Sequence, residues 1–149
     1  MDRIINDESM KELIILAIII FTCLIGCDDV KVGYLRTYNA KYVPDSLIVK
    51  NQLDPENKDD ARREQFQIPW QSVKIEGVQG TMPIRYEIQS INAGDLDQKI
   101  RDQFRIKDGG VIELQWDHTV PVGRYIISVN VSNEGHVEIL DSLFTVIVK

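Results

Sequence analysis

The strongest constraint on this chain is an unbroken apolar run from Leu13 to Ile25, LIILAIIIFTCLI, which carries no charge. As a helix, a run of this length spans about 20 Å, whereas crossing a bilayer core takes about 20 residues. It is too short for a transmembrane anchor and has the length of a signal-peptide hydrophobic region, about 7–15 residues. The preceding segment, MDRIINDESM, holds Asp2, Asp7 and Glu8 and makes a poor basic leader. Starting at Met10 instead gives MKELIILAIIIFTCLIGC, with Lys11 as the basic residue. Translation from Met10 is therefore expected, and peptide mapping that finds residues 2–9 in the precursor would exclude it.

The run ends in Leu24-Ile25-Gly26-Cys27. This resembles the lipobox of bacterial lipoproteins, in which a small residue precedes a cysteine that is lipidated on its thiol and becomes the new N-terminus. Leu24 and Gly26 match the pattern, and Ile25 is a less usual occupant of its position. The resemblance implies a signal peptide over 1–26, a lipidated tether over 27–43 and a folded domain over 44–149. Cys23 and Cys27 supply too few ligands for zinc and poor geometry for a bridge within one helix. Cleavage removes Cys23 and lipidation occupies Cys27, so the mature domain is left to rely on burial for its stability. Acyl chains contribute about 0.8 kcal/mol per buried CH₂, enough for three of them to hold the protein on a membrane. Asp28-Asp29 follow the cysteine and read in two ways: as a surface-export signal of outer-membrane lipoproteins, or as an inner-membrane retention signal. The expected address is the bacterial cell envelope, with the outer membrane and its surface favoured.

The remaining sequence describes one domain. A chain of 149 residues with 44% hydrophobic and 27% charged residues is globular in composition and short for two full cores. Removing residues 1–26 leaves 15 basic and 19 acidic residues. A mildly acidic surface argues against nucleic acid, whose binding depends on clustered Lys and Arg.

Apolar alternation and turn signals lay out about seven strands and one short helix. Ser46–Lys50 follows the turn pair Pro44-Asp45 and reads as the first core strand. Residues 51–65, NQLDPENKDDARREQ, form a charged loop with a helical turn over 61–65. Short strands follow at Ser72–Ile75 and at Ile84–Gln89, the second with Ile84, Tyr86 and Ile88 on one face. Leu96, Ile100 and Phe104 recur at helical spacing after Asp95, which predicts a surface helix capped by that residue. Lys107-Asp108-Gly109-Gly110 is a turn, and Val111–Trp116 alternates so that Ile112, Leu114 and Trp116 share a face. Pro121-Val122-Gly123 opens a strand with Tyr125, Ile127, Val129 and Val131 inward, Asn133-Glu134-Gly135 turns the chain, and Ile139–Leu140 and Leu143–Val148 close it. With no βαβ rhythm, the fold class is all-β, a sandwich.

From Gly77 to Lys149 the chain resembles the cadherin-like branch of the immunoglobulin-type sandwiches found in bacterial surface proteins. The resemblance rests on Gly80-Thr81-Met82-Pro83-Ile84 with Tyr86 and Ile88, and on Phe104-Arg105-Ile106 with Gly109-Gly110 and Ile112. Pro121-Val122-Gly123-Arg124-Tyr125 with Val129 and Val131, and the final Phe144-Thr145-Val146, complete it. Tyr42–Trp70 is similar to the charged lead-in before such domains in outer-membrane lipoproteins of glycan-uptake systems. This implies an immunoglobulin-like (cadherin-like) sandwich in a non-catalytic accessory lipoprotein, with polysaccharide or envelope proteins as partners. The alternative is a structural or adhesion module that contacts protein only. The D-x-N-D-N motif of calcium-binding cadherin repeats is absent, and the spacing of Asp54, Glu56, Asp59 and Asp60 matches no loop of hard oxygen ligands. Neither a metal nor a cofactor is expected.

Two tryptophans are the candidates for stacking on sugar. Trp70 follows Pro69 in an irregular context; Trp116 precedes Asp117-His118 but shares its predicted strand face with Ile112 and Leu114, which favours core packing. Tyr34, Tyr38 and Tyr42, four residues apart near the tether, read as a partly exposed edge. His118 and His136 are the only histidines, and no Ser, Cys or Asp arrangement marks a nucleophile, so catalysis is not expected.

Overall fold

The computed structural model describes residues 10–12, 14–16, 33–92, 94 and 96–149. The chain divides into two compact units, Met1–Val30 and Lys31–Lys149. In the first, residues 10–12 and 14–16 are helical, and among the described residues no helix is long and apolar enough to cross a membrane. Leu24-Ile25-Gly26-Cys27, where a lipobox is expected, and Asp28-Asp29 lie outside the described residues, as does Asp95.

The second unit is all-β with two short helices. Its strands are β1 (Leu35–Arg36), β2 (Ser46–Val49), β3 (Trp70–Gln71), β4 (Gln79–Gly80), β5 (Arg85–Asn92), β6 (Phe104–Lys107), β7 (Val111–Leu114), β8 (Gly123–Asn133) and β9 (His136–Val148); the helices are α1 (Lys58–Gln65) and α2 (Gln98–Arg101). They form a four-stranded sheet in the order β2-β9-β8-β5, a three-stranded sheet in the order β3-β7-β6, and a β1-β4 ribbon. Every pairing is antiparallel except that of β2 with β9, which runs parallel from Ser46 opposite Thr145 to Val49 opposite Val148.

The core follows from the period-two pattern. Tyr125, Ile127, Val129 and Val131 of β8 and Phe144, Val146 and Val148 of β9 are buried, and they join Ile112 and Leu114 of β7 in one cluster fed by both larger sheets. Burying each such side chain stabilises the fold by about 1.5–3 kcal/mol, the main source of stability in a domain without a disulfide. The alternation survives a bulge: pairing shifts between Ile127 and Val129, and Ser142, at a φ of 51°, donates its backbone N–H to Ser128 Oγ at 3.1 Å.

Several sequence expectations are corrected. Phe104 does not extend a helix; α2 ends at Arg101, and Phe104 opens β6 as a buried core residue opposite Leu114. The cap of α2 is Asp97, whose carboxylate accepts from Lys99 N. The strand expected over Ser72–Ile75 shifts upstream to Trp70–Gln71. The helical turn expected at 61–65 is the second half of α1, which starts at Lys58 because Asn57 caps it, accepting from Asp59 N and Asp60 N. Tyr42 is no edge residue: it is 3% exposed, packs on Phe144 with ring centroids 4.6 Å apart, and donates its hydroxyl to Gly110 O. The folded unit thus takes in residues that the sequence assigns to a tether, including β1.

The start of the unit is clamped to the tip of the β8–β9 hairpin. Asn133 Nδ2 donates to Tyr34 O at 2.7 Å and to Thr81 O at 3.1 Å, while Tyr34 N donates to Thr81 Oγ1 at 3.2 Å. Gly80 permits this approach, since a Cβ there would lie 2.8 Å from Tyr34 O and 3.2 Å from Asn133 Nδ2.

Candidate functional site

Both tryptophans lie at the end of β7, in different surroundings. Trp70 and Phe104 each sit opposite Leu114, so both neighbouring strands supply their last partner to β7 at that residue. Beyond Leu114 the ladder has nothing left to bond, and the chain turns at Trp116-Asp117. Trp116 is therefore not on the core face with Ile112 and Leu114. It is half-buried and lines an open cleft.

Neighbouring residues of helix α1 meet the surroundings of both indoles. The Arg63 guanidinium lies 3.6 Å above the Trp70 ring centroid, and its Nη1 donates to Ile68 O and Pro69 O, each at 2.9 Å. One face of Trp70 is thus covered, its Nε1 is buried without a partner, and the ring packs against the core. Burial also lowers the Arg63 pKa, partly offset by the charges of Asp60 and Asp59. Glu64, the next residue, lines the Trp116 cleft instead.

The cleft holds about 400 Å³. Asn51, Gln52 and Leu53 form one wall, and Glu64, Trp116, Asp117 and His118 complete the lining. Its frame is a hydrogen-bonded knot. Buried Asp60 accepts from Lys50 Nζ at 2.6 Å and from Asp54 N at 3.0 Å, which ties α1 to the end of β2. The Lys50 hydrogen bond, with that of Asp54, holds the Asp60 carboxyl below its ordinary pKa. His118, 7% exposed, sits with Nε2 3.1 Å from Lys50 O, and its Nδ1 accepts from Val120 N at 3.2 Å. That pattern requires the neutral Nε2–H tautomer, and burial accordingly lowers the His118 pKa, opposed by the Lys50 carbonyl and Asp117. With both ring nitrogens engaged, His118 is placed to hold the loop and not to accept a substrate proton.

A second depression, of about 420 Å³, lies between β5 and α2. Its one aromatic lining residue, Phe104, is 5% exposed, so it offers no stacking surface. Among the described residues no group of three or more His, Cys, Asp or Glu could hold a metal ion.

No protein-family model matches this chain, and no curated protein matches it. Among solved structures, the chain is similar to a SusE-like surface-located polysaccharide-binding protein from the heparin utilisation locus of Bacteroides thetaiotaomicron. The TM-score is 0.47 at 17% identity, with 78% of this chain covered. The match spans 15% of that protein's length.

The cleft and the chain's entry lie at opposite ends of β8. Gly123 pairs with Val148, which pairs with Val49, and the cleft residues Asn51–Leu53 follow directly; the other end of β8 is Asn133, the clamp residue. At about 3.3 Å per residue, β8 separates the two ends by roughly 30 Å.

The sequence named both tryptophans and Asp117-His118 but not the rest of the cleft. Asn51, Gln52 and Glu64 come from a segment that reads only as a charged loop. The buried Asp60, within an exposed-looking acidic run, carries no signal in the sequence that sets it apart from Asp59.

Proposed function

We propose that this chain is a non-catalytic, lipid-anchored module of a bacterial envelope that binds glycan through the Trp116 cleft and serves as an accessory to an uptake complex. The observation that carries this reading is the half-buried Trp116 indole in an open cleft, beside amide and carboxylate groups able to bond sugar hydroxyls. Sugar rings stack their C–H faces on aromatic surfaces, and amides and carboxylates fix the hydroxyls. Lipidation at Cys27 rests on Leu24-Ile25-Gly26-Cys27. The fold is read as an immunoglobulin-like (cadherin-like) sandwich, supported by the parallel pairing of β2 with the last strand and by the split into β2-β9-β8-β5 and β3-β7-β6 sheets. Trp70, covered by Arg63, is the weaker of the two stacking candidates.

The test is a glycan screen and calorimetry on the full-length protein purified in detergent, with mass spectrometry of its N-terminal peptide. Binding that Trp116→Ala abolishes, and a lipid-modified Cys27, are the expected results. No binding to any glycan, or membrane attachment unchanged in Cys27→Ser, overturns the respective half.

A second reading, an adhesion module that contacts protein, is favoured by Val137 and Ile139. They are 63% and 53% exposed on β9, upstream of the stretch that pairs with β2. Such a surface suits a protein partner.

A further inference from the structure

We propose that the Trp116 cleft selects saccharides free of acidic groups, neutral or amino-sugar chains, and rejects uronate-bearing and sulfated ones. The inference rests on the glycan-binding reading above and narrows its ligand class. The charged groups lining the cleft are the exposed carboxylates Glu64 and Asp117; the others are the amides of Asn51 and Gln52 and the neutral His118. Among the described residues no lysine or arginine lines it. The basic residues adjacent in sequence are engaged elsewhere: Lys50 with Asp60 at 2.6 Å, and Arg63 on the Trp70 ring and the carbonyls of Ile68 and Pro69.

A sulfate or uronate entering the cleft would lose water and meet two like charges without a cation to receive it. Like charges close together near a protein surface repel far more strongly than in bulk water, and the expected penalty on an acidic chain is a loss of affinity of about tenfold. The excess of acidic over basic residues that remains after removal of residues 1–26, 19 against 15, adds a repulsive field at longer range. Vicinal hydroxyls are suited to the same groups, since carboxylates accept two hydroxyl hydrogen bonds and amides both donate and accept. An ammonium group gains further from the carboxylates and from the indole face.

Calorimetry on the full-length protein in detergent, with neutral β-glucan and cello-oligosaccharides, chitosan oligomers, heparin and polygalacturonate, tests this. Chitosan oligomers and at least one neutral chain are expected to bind, and heparin and polygalacturonate to bind at least tenfold more weakly. Glu64→Gln/Asp117→Asn should narrow that gap at least threefold with the circular dichroism spectrum unchanged. Trp116-dependent binding of heparin or polygalacturonate equal to or tighter than neutral chains overturns the charge selection and leaves glycan binding in place. An unchanged gap in the double variant also overturns it. No glycan binding, or binding indifferent to Trp116→Ala, removes the glycan reading and this inference together.

Discussion

Trp70 and Trp116 sit within two residues of the same ladder position and are both half-buried, yet one is stacked under an arginine and packed on the core while the other lines an open cleft. Trp70 pairs opposite Leu114 and so belongs to a sheet; Trp116 comes after the ladder has ended. Arg63 then covers Trp70, while Glu64, one residue on, lines the cleft in front of Trp116. Adjacent residues of one helix thus cover the face of one indole and line the cleft of the other. The chemistry of an aromatic side chain is thus set less by its own strand pattern than by where its neighbours' hydrogen bonds run out.

That contrast can be broken in four ways, taken here in descending order of effect. Trp70→Ala is expected to cost about 3 kcal/mol of stability, as a packed aromatic leaves a cavity and strips Arg63 of its platform. Urea unfolding measures it, and glycan affinity of the folded protein should stay within about twofold. Trp116→Ala should do the opposite: stability within about 1 kcal/mol of the parent, and affinity down by about tenfold or more in calorimetry, the loss of one stacking contact. Equal stability losses in the two variants would erase the distinction between a core-packed indole and a cleft-lining one.

Arg63→Met keeps the aliphatic cover and removes the charge. A loss of about 1 kcal/mol is expected, within the range for a cation over an indole, accompanied by a shift in Trp70 fluorescence while Trp116 is unaffected. Tryptophan emission recorded in the Trp116→Ala background isolates the signal.

The smallest effect concerns pH. Burial holds the His118 pKa below its ordinary 6.5, so the folded state binds this proton less readily than the unfolded chain. Stability from this group is complete above about pH 6.5 and falls as pH drops toward the folded value. Glu113 behaves alike in a lower window. Burial opposes its charge, but hydrogen bonds from Lys107 and Gln71, both at 2.6 Å, and the charges of Lys107 and Arg105 outweigh that and lower its pKa. Its contribution, with that of Asp60, is lost as pH falls below their ordinary values of 4.5 and 3.8. Urea midpoints should decrease between pH 7.5 and 5.5 in a way that His118→Gln removes, and measurements extended to pH 3.5 should show a second fall that it leaves in place.

Much of the fold was legible because long, half-buried strands announce their faces. Tyr125, Ile127, Val129 and Val131 alternate cleanly, and Asn133-Glu134-Gly135 turns where the pattern stops; all four apolar residues are buried and the hairpin turns there. Phe104 was misread because its spacing from Leu96 and Ile100 satisfies a helix, while its pairing with Leu114 depends on a strand ten residues later in the chain. Trp116 was misread for the converse reason: the alternation continues past the last residue that has a partner.

By itself, the sequence determined the apolar run that precedes Gly26-Cys27, the all-β class and most of the inward-facing residues, because these follow from local period and composition. Only the tertiary structure decided which tryptophan is open, which aspartate of the acidic run is buried, and that the cleft stands at the far end of β8 from the Asn133 clamp. Those depend on where strands distant in the chain stop pairing, and no local pattern records that.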